Sequence, residues 1–376
     1  MPRDYREEFS VTRSWAYLNH ANVAPLSRRA QDRLHQWCDD VASNGDTTIQ
    51  SWFKEIEDIR RAAGRLVGAA ATEIAFLKNT SEGISLIAEG FPWRDGDNVV
   101  ILGNDYPANV YPWLHQQRKS VSVKLIESND GGVSIEQLAA VIDERTRMVS
   151  ISFVHFATGF RSDLELIGEF CRMHHIDFLV DAIQGLGVFP VDVKKMNIDY
   201  LCANSQKWLL APQGAAILFV DEEKLNKICP ISVGWKSVVD PHKYSRIDYC
   251  LRNDAARFEC GSFVIPSIIA LGGSLALIEE VGVSTIRDRV KDNTDYLVDR
   301  LKAIGAKVTS KRDGDQWSGI VAFNIPEIDP NQIVERARND RVVISARGGC
   351  VRVSPHFYNN HEDIDRLIAV LKKVRQ

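Results

Sequence analysis

The sequence predicts an α/β fold. It comprises a large domain on a mostly parallel, seven-stranded-type sheet flanked by helices, and a smaller α+β C-terminal domain. Three observations predict it. Seven short apolar runs recur between residues 74 and 220, amphipathic segments separate them, and strand-like runs return beyond residue 303, mixed with helical ones. The seven runs are Ile74–Leu77, Asn98–Leu102, Val121–Ile126, Met148–Val154, Phe178–Val180, Tyr200–Ala203 and Ala215–Val220. Largely continuous apolar runs are strands covered on both faces, as a parallel sheet between helical layers requires. The helices come from Gly83–Gly90, Asn109–Lys119, Ser134–Ile142 and Leu164–His174.

The flanking elements follow from the same patterning. Residues 27–70 read as helices, with Arg28, Arg29, Arg33, Asp39 and Asp40 set around Leu34, Trp37 and Val41. Residues 221–257 are polar and irregular. A long helical region covers 264–303, followed by strands at Val308, Ile320–Ile325, Val342–Ser345 and Val351–Ser354 and a helix from about Glu362 to Lys373. The expected division is an N-terminal segment, 1–20, packing on the small domain, a large domain over 21–260, and an interdomain helix with the small domain over 261–376.

Composition narrows the partners. With 45% hydrophobic and 26% charged residues in 376, the chain is an ordinary globular one, which excludes a disordered, collagen-like or coiled-coil protein. Its net charge of −4 creates no field that favours nucleic acid or an anionic membrane, so a small ligand in a pocket is expected. Seven cysteines without C-x-x-C spacing read as reduced thiols of a cytoplasmic chain, and no metal motif is present. The charged N-terminus lacks the apolar core of a signal peptide. Gly261–Ile278 carries no charge but contains Pro266, three glycines and three serines, and reads as a buried helix rather than a membrane span.

Ligands of open α/β sheets collect at the carboxyl ends of the strands, and three such places carry suitable residues. Asp181-Ala182-Ile183-Gln184-Gly185 follows one strand. There an aspartate stays ionised under a ligand if a cation pairs with it, and is otherwise a turn or cap residue. Ser205-Gln206-Lys207-Trp208 follows another, where a partly desolvated lysine can form a Schiff base. Thr80-Ser81-Glu82-Gly83 leads into a helix whose free N–H groups suit a phosphate, or simply holds an ordinary N-cap.

In this order and spacing, the three motifs resemble the class V aminotransferase family of fold-type I pyridoxal-phosphate enzymes, which includes cysteine desulfurases and selenocysteine lyases. The resemblance extends to Tyr17-Leu18-Asn19-His20-Ala21, Arg257-Phe258-Glu259-Cys260-Gly261-Ser262 and Arg352-Val353-Ser354. It implies pyridoxal 5'-phosphate as cofactor, held covalently by Lys207, with Asp181 pairing to the ring nitrogen. It implies that Gln184 contacts the ring's phenolic oxygen and that Tyr106 stacks where many relatives have histidine. It places the phosphate on backbone groups of Ser81, Glu82 and Gly83 and on the side chains of Ser205 and Gln206. Ser262 would reach the phosphate of a partner subunit, which implies a homodimer with sites at the interface. Arg352 would clamp the α-carboxylate of a small amino-acid substrate, and Arg347 matches an arginine at the pocket mouth.

Two departures qualify the activity. The family's desulfurases carry a nucleophilic cysteine on a loop that here shrinks to Gly348-Gly349-Cys350-Val351, so Cys350 reads as structural. Phe156 stands where many relatives have an asparagine, and its neighbour His155 reads equally as a strand histidine or a site residue. The missing loop favours amino-group transfer from a free L-α-amino acid. The alternative is a β-eliminating carbon–sulfur lyase or desulfurase-like enzyme. An alternative of another class is a cofactor-binding partner protein without turnover.

Overall fold

The structure is a computed structural model that describes residues 5–243, 245 and 247–374. A short strand β1 (Ala16–Tyr17) precedes two helices, α1 (Arg28–Asn44) and α2 (Ile49–Val67). Ser27 caps α1, its hydroxyl accepting the Ala30 N–H at 3.2 Å. The alternating section then runs β2 (Ile74–Leu77), α3 (Thr80–Gly90), β3 (Asn98–Leu102), α4 (Tyr111–Leu114), β4 (Ser122–Ile126), α5 (Ile135–Val141), β5 (Thr146–Ser152) and α6 (Leu164–Met173). It ends with β6 (Asp177–Asp181), β7 (Tyr200–Asn204) and β8 (Ala216–Val220).

Strands β2 to β8 form one seven-stranded sheet in the order β2-β8-β7-β6-β5-β3-β4. All neighbours pair in parallel except β8, which is antiparallel to both β2 and β7. Side chains alternate between two cores. Val100 and Leu102 join α2, α6 and their surroundings on one face, while Val99 and Ile101 meet Ile84 and Ile87 of α3 on the other. The edge strand β4 departs from the expected double burial: Ser122 and Lys124 alternate with Val123 and Leu125, and only Ile126 is buried.

The expected helix over 264–303 is two, α7 (Ile265–Val281) and α8 (Val283–Ala303), bent by 81° at Gly282, whose φ of 82° suits glycine. α7 is buried along most of its length, and among the described residues no single helix is long and apolar enough to cross a membrane. The small domain adds β9 (Lys307–Val308), β10 (Val321–Asn324), α9 (Pro330–Asn339), β11 (Val342–Val343), β12 (Ser345–Arg347), β13 (Cys350–Val353) and α10 (His361–Val374). Its antiparallel sheet has the order β12-β13-β10-β9. The strand expected at Val342–Ser345 splits at Ile344, because β11 leaves that sheet to pair in parallel with β1. Ala16 and Leu18 are buried in the core of the C-terminal sheet, while Tyr5 and Phe9 of the N-terminal segment belong to the larger core.

Candidate active site

Four strands of the parallel section end along one sheet edge, and the residues beyond them line a cavity of about 340 Å³. Tyr106 follows β3, Phe156 follows β5, Asp181 closes β6, and Asn204, Gln206 and Lys207 lie at and beyond the end of β7. The first turn of α3, Ala21–Val23, and Arg347 and Arg352 of the small domain complete the walls. A larger groove, about 1430 Å³, runs between α6 and the 311–316 loop. Three of its four lining cations are paired, Lys311 with Asp130, Arg161 with Asp315 and Lys195 with Glu165.

Lys207 sits in a tight turn in which the Leu210 N–H donates to the Lys207 carbonyl at 3.1 Å and the Ala211 N–H to the Ser205 carbonyl at 3.2 Å. Leu210 takes a φ of 57°. That left-handed conformation costs about 1–2 kcal/mol in a non-glycine residue. The Ser274 hydroxyl anchors the turn by donating to the Leu210 carbonyl at 2.8 Å. Trp208 is buried beneath, its indole N–H donating to Gln184 Oε1 at 2.9 Å. The Phe357 N–H donates to His356 Nδ1 at 2.8 Å, so His356 Nε2 carries the proton it donates to the Trp208 carbonyl at 3.2 Å. Burial pushes the Lys207 amine down; Asp181 opposes this, and Arg352 and Arg347 reinforce it. Its nitrogen lies 5.6 Å from the centroid of the Tyr106 ring.

Asp181 is 1% exposed, and its Oδ1 accepts the Ile183 N–H at 3.0 Å. Asp105, buried nearby, is far better satisfied. It takes the Ser152 hydroxyl and the Tyr106 N–H at 2.7 Å each, and the Asn109 amide at 3.0 Å. Burial, reinforced by the Asp105 charge, pushes the Asp181 carboxyl well above the ordinary range, against the Ile183 bond and Lys207. A protonated ring nitrogen would reverse that shift by pairing with the carboxylate.

The other expected residues divide. Gln184 lines the cavity and donates to the Ala21 carbonyl at 3.0 Å. Ser81, Gln206, Tyr106, Arg347 and Arg352 also line it. Ser205 does not: it is fully buried, and its hydroxyl donates to the Pro212 carbonyl at 2.5 Å. Nor do Glu82 and Gly83. The Glu82 N–H donates to the Asn79 side chain at 2.8 Å and the Gly83 N–H to the Asn79 carbonyl at 3.3 Å. A side chain at Gly83 would strike Cys202, so this glycine serves helix–sheet packing. Ser262 is exposed outside the cavity of its own chain. His155 is a satisfied histidine, bonded to Thr158 Oγ1 and the Asn104 carbonyl at 3.0 Å each. Cys350 lies outside the cavity, its sulfur 3.6 Å from Thr309 Oγ1 and 3.2 Å from the Asn324 amide.

Thr80, expected as a phosphate-side or N-cap residue, lines the cavity together with Asn79, Asn204 and Gln213, to which the sequence assigns no role. Asn79 offered a signal, since asparagine before a helix is a preferred N-cap. Its capping moves the free N–H groups of α3 to Thr80 and Ser81. Thr80 Oγ1 and Gln206 Oε1 are buried with no hydrogen-bond partner among the described residues. The Thr80 hydroxyl and two free N–H groups at a helix start are donors that suit a phosphate, whereas Gln206 would serve it only with its amide N–H turned toward it in place of Oε1. Together with the underused Asp181 carboxyl and the desolvated Lys207 amine, they fit pyridoxal phosphate.

The class-V aminotransferase family model matches residues 17–367. A probable cysteine desulfurase of Methanothermobacter thermautotrophicus is 26% identical, over 99% of this chain and 97% of the relative. The uncharacterized aminotransferase YcbU of Bacillus subtilis is 27% identical, over 98% and 96%. Among solved structures, a C-DES mutant with glycine covalently linked to its PLP cofactor superposes with a TM-score of 0.92 at 21% identity, over 99% of each chain. The cystine C–S lyase C-DES in complex with its reaction product, cysteine persulfide, gives 0.89 at 21%, over 95% of this chain and 97% of that one. At such identity the structures speak for the fold, while the family match spans nearly every element of the site: the chain belongs to the class V aminotransferase family of pyridoxal-phosphate enzymes.

Proposed function

We propose that this enzyme is a carbon–sulfur lyase that β-eliminates a free L-α-amino acid bearing sulfur on Cβ. The observation that carries this reading is that none of the seven cysteines lines the cavity. Without a thiol over the substrate the departing sulfur is not captured by the enzyme and leaves as a small thiol or persulfide. Relatives named as desulfurases and C-DES, described as a cystine C–S lyase, support carbon–sulfur chemistry better than the amino-group transfer expected from the shortened loop.

When bound, pyridoxal phosphate supplies an electron sink for the α-carbanion. The chain does the rest. Arg352, 2% exposed, holds the substrate carboxylate; its own guanidinium is oriented by the Phe156 carbonyl at 2.7 Å and the Ser345 hydroxyl at 3.3 Å. Lys207, its amine depressed toward neutrality by burial, takes the proton from Cα. The Cα–H and Cβ–S bonds break, the sulfur leaves with the electron pair, and water completes the products. One substrate and one water give pyruvate, ammonium and a thiol.

The proposal includes a homodimer, supported by Ser262 and Val264 standing exposed at the start of α7. The test is to incubate purified holoenzyme with L-cysteine or L-cystine and assay pyruvate, alanine and sulfide. Continuing pyruvate release, lost in Lys207→Ala, is expected. Alanine in place of pyruvate would make the enzyme a desulfurase, and transfer of the amino group to an added keto acid would make it an aminotransferase.

A further inference from the structure

Two aromatic rings line the cavity. Tyr106 and Phe156 follow the paired strands β3 and β5 and pack edge-on, their centroids 5.3 Å apart. The pair spans the place where a substrate must lie. Lys207 Nζ is 5.6 Å from the centroid of the Tyr106 ring, while the Phe156 carbonyl accepts from Arg352 Nη1 at 2.7 Å. A substrate with its carboxylate on Arg352 and its Cα within reach of Lys207 therefore lies against both rings.

Phe156 is held at the tip of a short hairpin that leaves it little freedom. Val154 bridges Arg161, the His155 N–H donates to the Phe160 carbonyl at 2.9 Å, and the Gly159 N–H donates to the His155 carbonyl at 3.0 Å. Gly159 closes the turn at a φ of 75°, where a side chain would strike the Ile320 carbonyl. Tyr106 is fixed as firmly, its N–H donating to Asp105 Oδ1 at 2.7 Å and its carbonyl accepting the Asn109 N–H at 2.8 Å. The Phe156 carbonyl is already committed to Arg352, so what this residue offers a ligand is its ring. A fixed aromatic wall selects by burial. An apolar group laid on it loses its contact with water and gains a contact with the rings. A carboxylate or ammonium there would lose water without gaining a partner.

We infer that Phe156 is a specificity-determining residue, forming with Tyr106 an apolar wall for the substituent that the substrate carries on sulfur. The substrate class is then an L-cysteine thioether with an alkyl or aryl group, and the leaving group is the corresponding thiol. That substrate class rests on the lyase reading above; the wall itself does not.

The experiment is calorimetric titration of the holoenzyme with β-(benzylthio)propanoate and β-(carboxymethylthio)propanoate. Both carry a carboxylate for Arg352, and neither has an amino group to react. The benzyl compound should bind at least about tenfold more tightly, the scale of apolar burial with an added ring contact. Phe156→Asn should bring that ratio to about one, whereas Phe156→Leu, apolar but without the ring, should leave an intermediate ratio. The ratio of kcat/KM for S-benzyl-L-cysteine over S-carboxymethyl-L-cysteine should follow the same order. Equal binding of the two compounds overturns the wall. So does an equal loss for both in Phe156→Asn, which would leave Phe156 only its support of Arg352. Loss of pyridoxal phosphate absorbance from the desalted variant, with the ratio unchanged, would put the ring on the cofactor and also overturn it. Benzyl selectivity in binding without pyruvate release from any sulfur amino acid would uphold the wall and reject the lyase reading.

Discussion

Arg352 Nη1 donates to the main-chain carbonyl of Phe156 at 2.7 Å, a bond from the small-domain strand β13 to the segment just past the end of β5. Phe156, where the resemblance leads one to expect an asparagine, therefore acts through its backbone. Its ring meanwhile packs edge-on against Tyr106, with centroids 5.3 Å apart. The contact both orients the guanidinium proposed to hold the substrate carboxylate and links β13 to the end of β5 across the cavity.

The clamp depends on a planar fork, so a lysine should not replace it. Arg352→Lys keeps the charge but loses the bond to Phe156 or the grip on the substrate, since one ammonium cannot serve both with the same geometry. A loss of about 2–3 kcal/mol, roughly 30- to 150-fold in kcat/KM, is expected for a charged hydrogen bond. Steady-state kinetics with the best sulfur amino acid measures it. A variant within threefold of wild type would exclude the clamp.

Asp181 should set function against stability. Its folded pKa is raised above the unfolded value, chiefly by burial. The stability it contributes is therefore present below about pH 4, the unfolded value, and is lost as pH rises through the folded one. Asp181→Asn stays neutral and escapes the loss. At pH 8 the cofactor-free variant should melt a few degrees above wild type. Pyridoxal phosphate should raise the wild-type melting temperature more than the variant's, because the carboxylate–nitrogen pair exists only in wild type. Turnover of the variant should fall by about 100-fold or more. A cofactor-free variant less stable than wild type at pH 8 would contradict the assignment.

The N-terminal histidine should make the fold acid-labile. His20 Nδ1 bonds the Ser354 carbonyl at 2.8 Å and Nε2 the Tyr358 hydroxyl at 2.6 Å, while His356 packs edge-on 5.2 Å away. Burial pushes His20 down to about 4, against the Ser354 bond and Asp363, and drives His356 well below its ordinary range. With folded values lowered, the unfolded chain binds more protons between about pH 6.5 and 4, so stability falls as pH falls through that window. For His20 alone the loss is on the order of 3 kcal/mol. Because Asp181 shifts in the opposite sense across this window, the test compares the two proteins: His20→Asn should melt below wild type at pH 7, and the difference should narrow as pH falls from about 6.5 to 4.5. An unchanged slope in the variant would show that other groups control acid unfolding.

The fold and the site were not equally legible. Seven apolar runs mark the seven sheet strands because burial on both faces leaves no room for polar residues. The edge strand β4 is the exception, being only partly covered by its neighbours α4 and α5. Lys207 and Asp181 stand where strand ends must place them. The phosphate corner was harder to read, because capping by Asn79 consumes the N–H groups of Glu82 and Gly83 and leaves those of Thr80 and Ser81. Ser205 lies off the cavity for a related reason. The positive φ of Leu210 tightens the turn, and the serine hydroxyl closes inward on Pro212 instead of outward on the cavity. Such choices depend on which of several local donors a backbone conformation leaves free, and residue type alone does not encode that.

Cys350 separates the two kinds of sulfur chemistry most directly. It begins β13, opposite Arg347 and just past two glycines, and its sulfur packs beside Thr309 and Asn324 rather than over the cavity. A hairpin with two connecting residues has no slack with which to carry a thiol toward the substrate. Cys350→Ser should therefore retain pyruvate release within about twofold, the ordinary effect of a partly exposed substitution away from a core or cap being ±0.5 kcal/mol. If the thiol instead accepted sulfur as a persulfide, the variant would lose turnover, and mass spectrometry of substrate-treated wild type would find 32 Da (about one sulfur atom) added at Cys350. An unmodified Cys350 together with an active serine variant is the outcome the geometry requires.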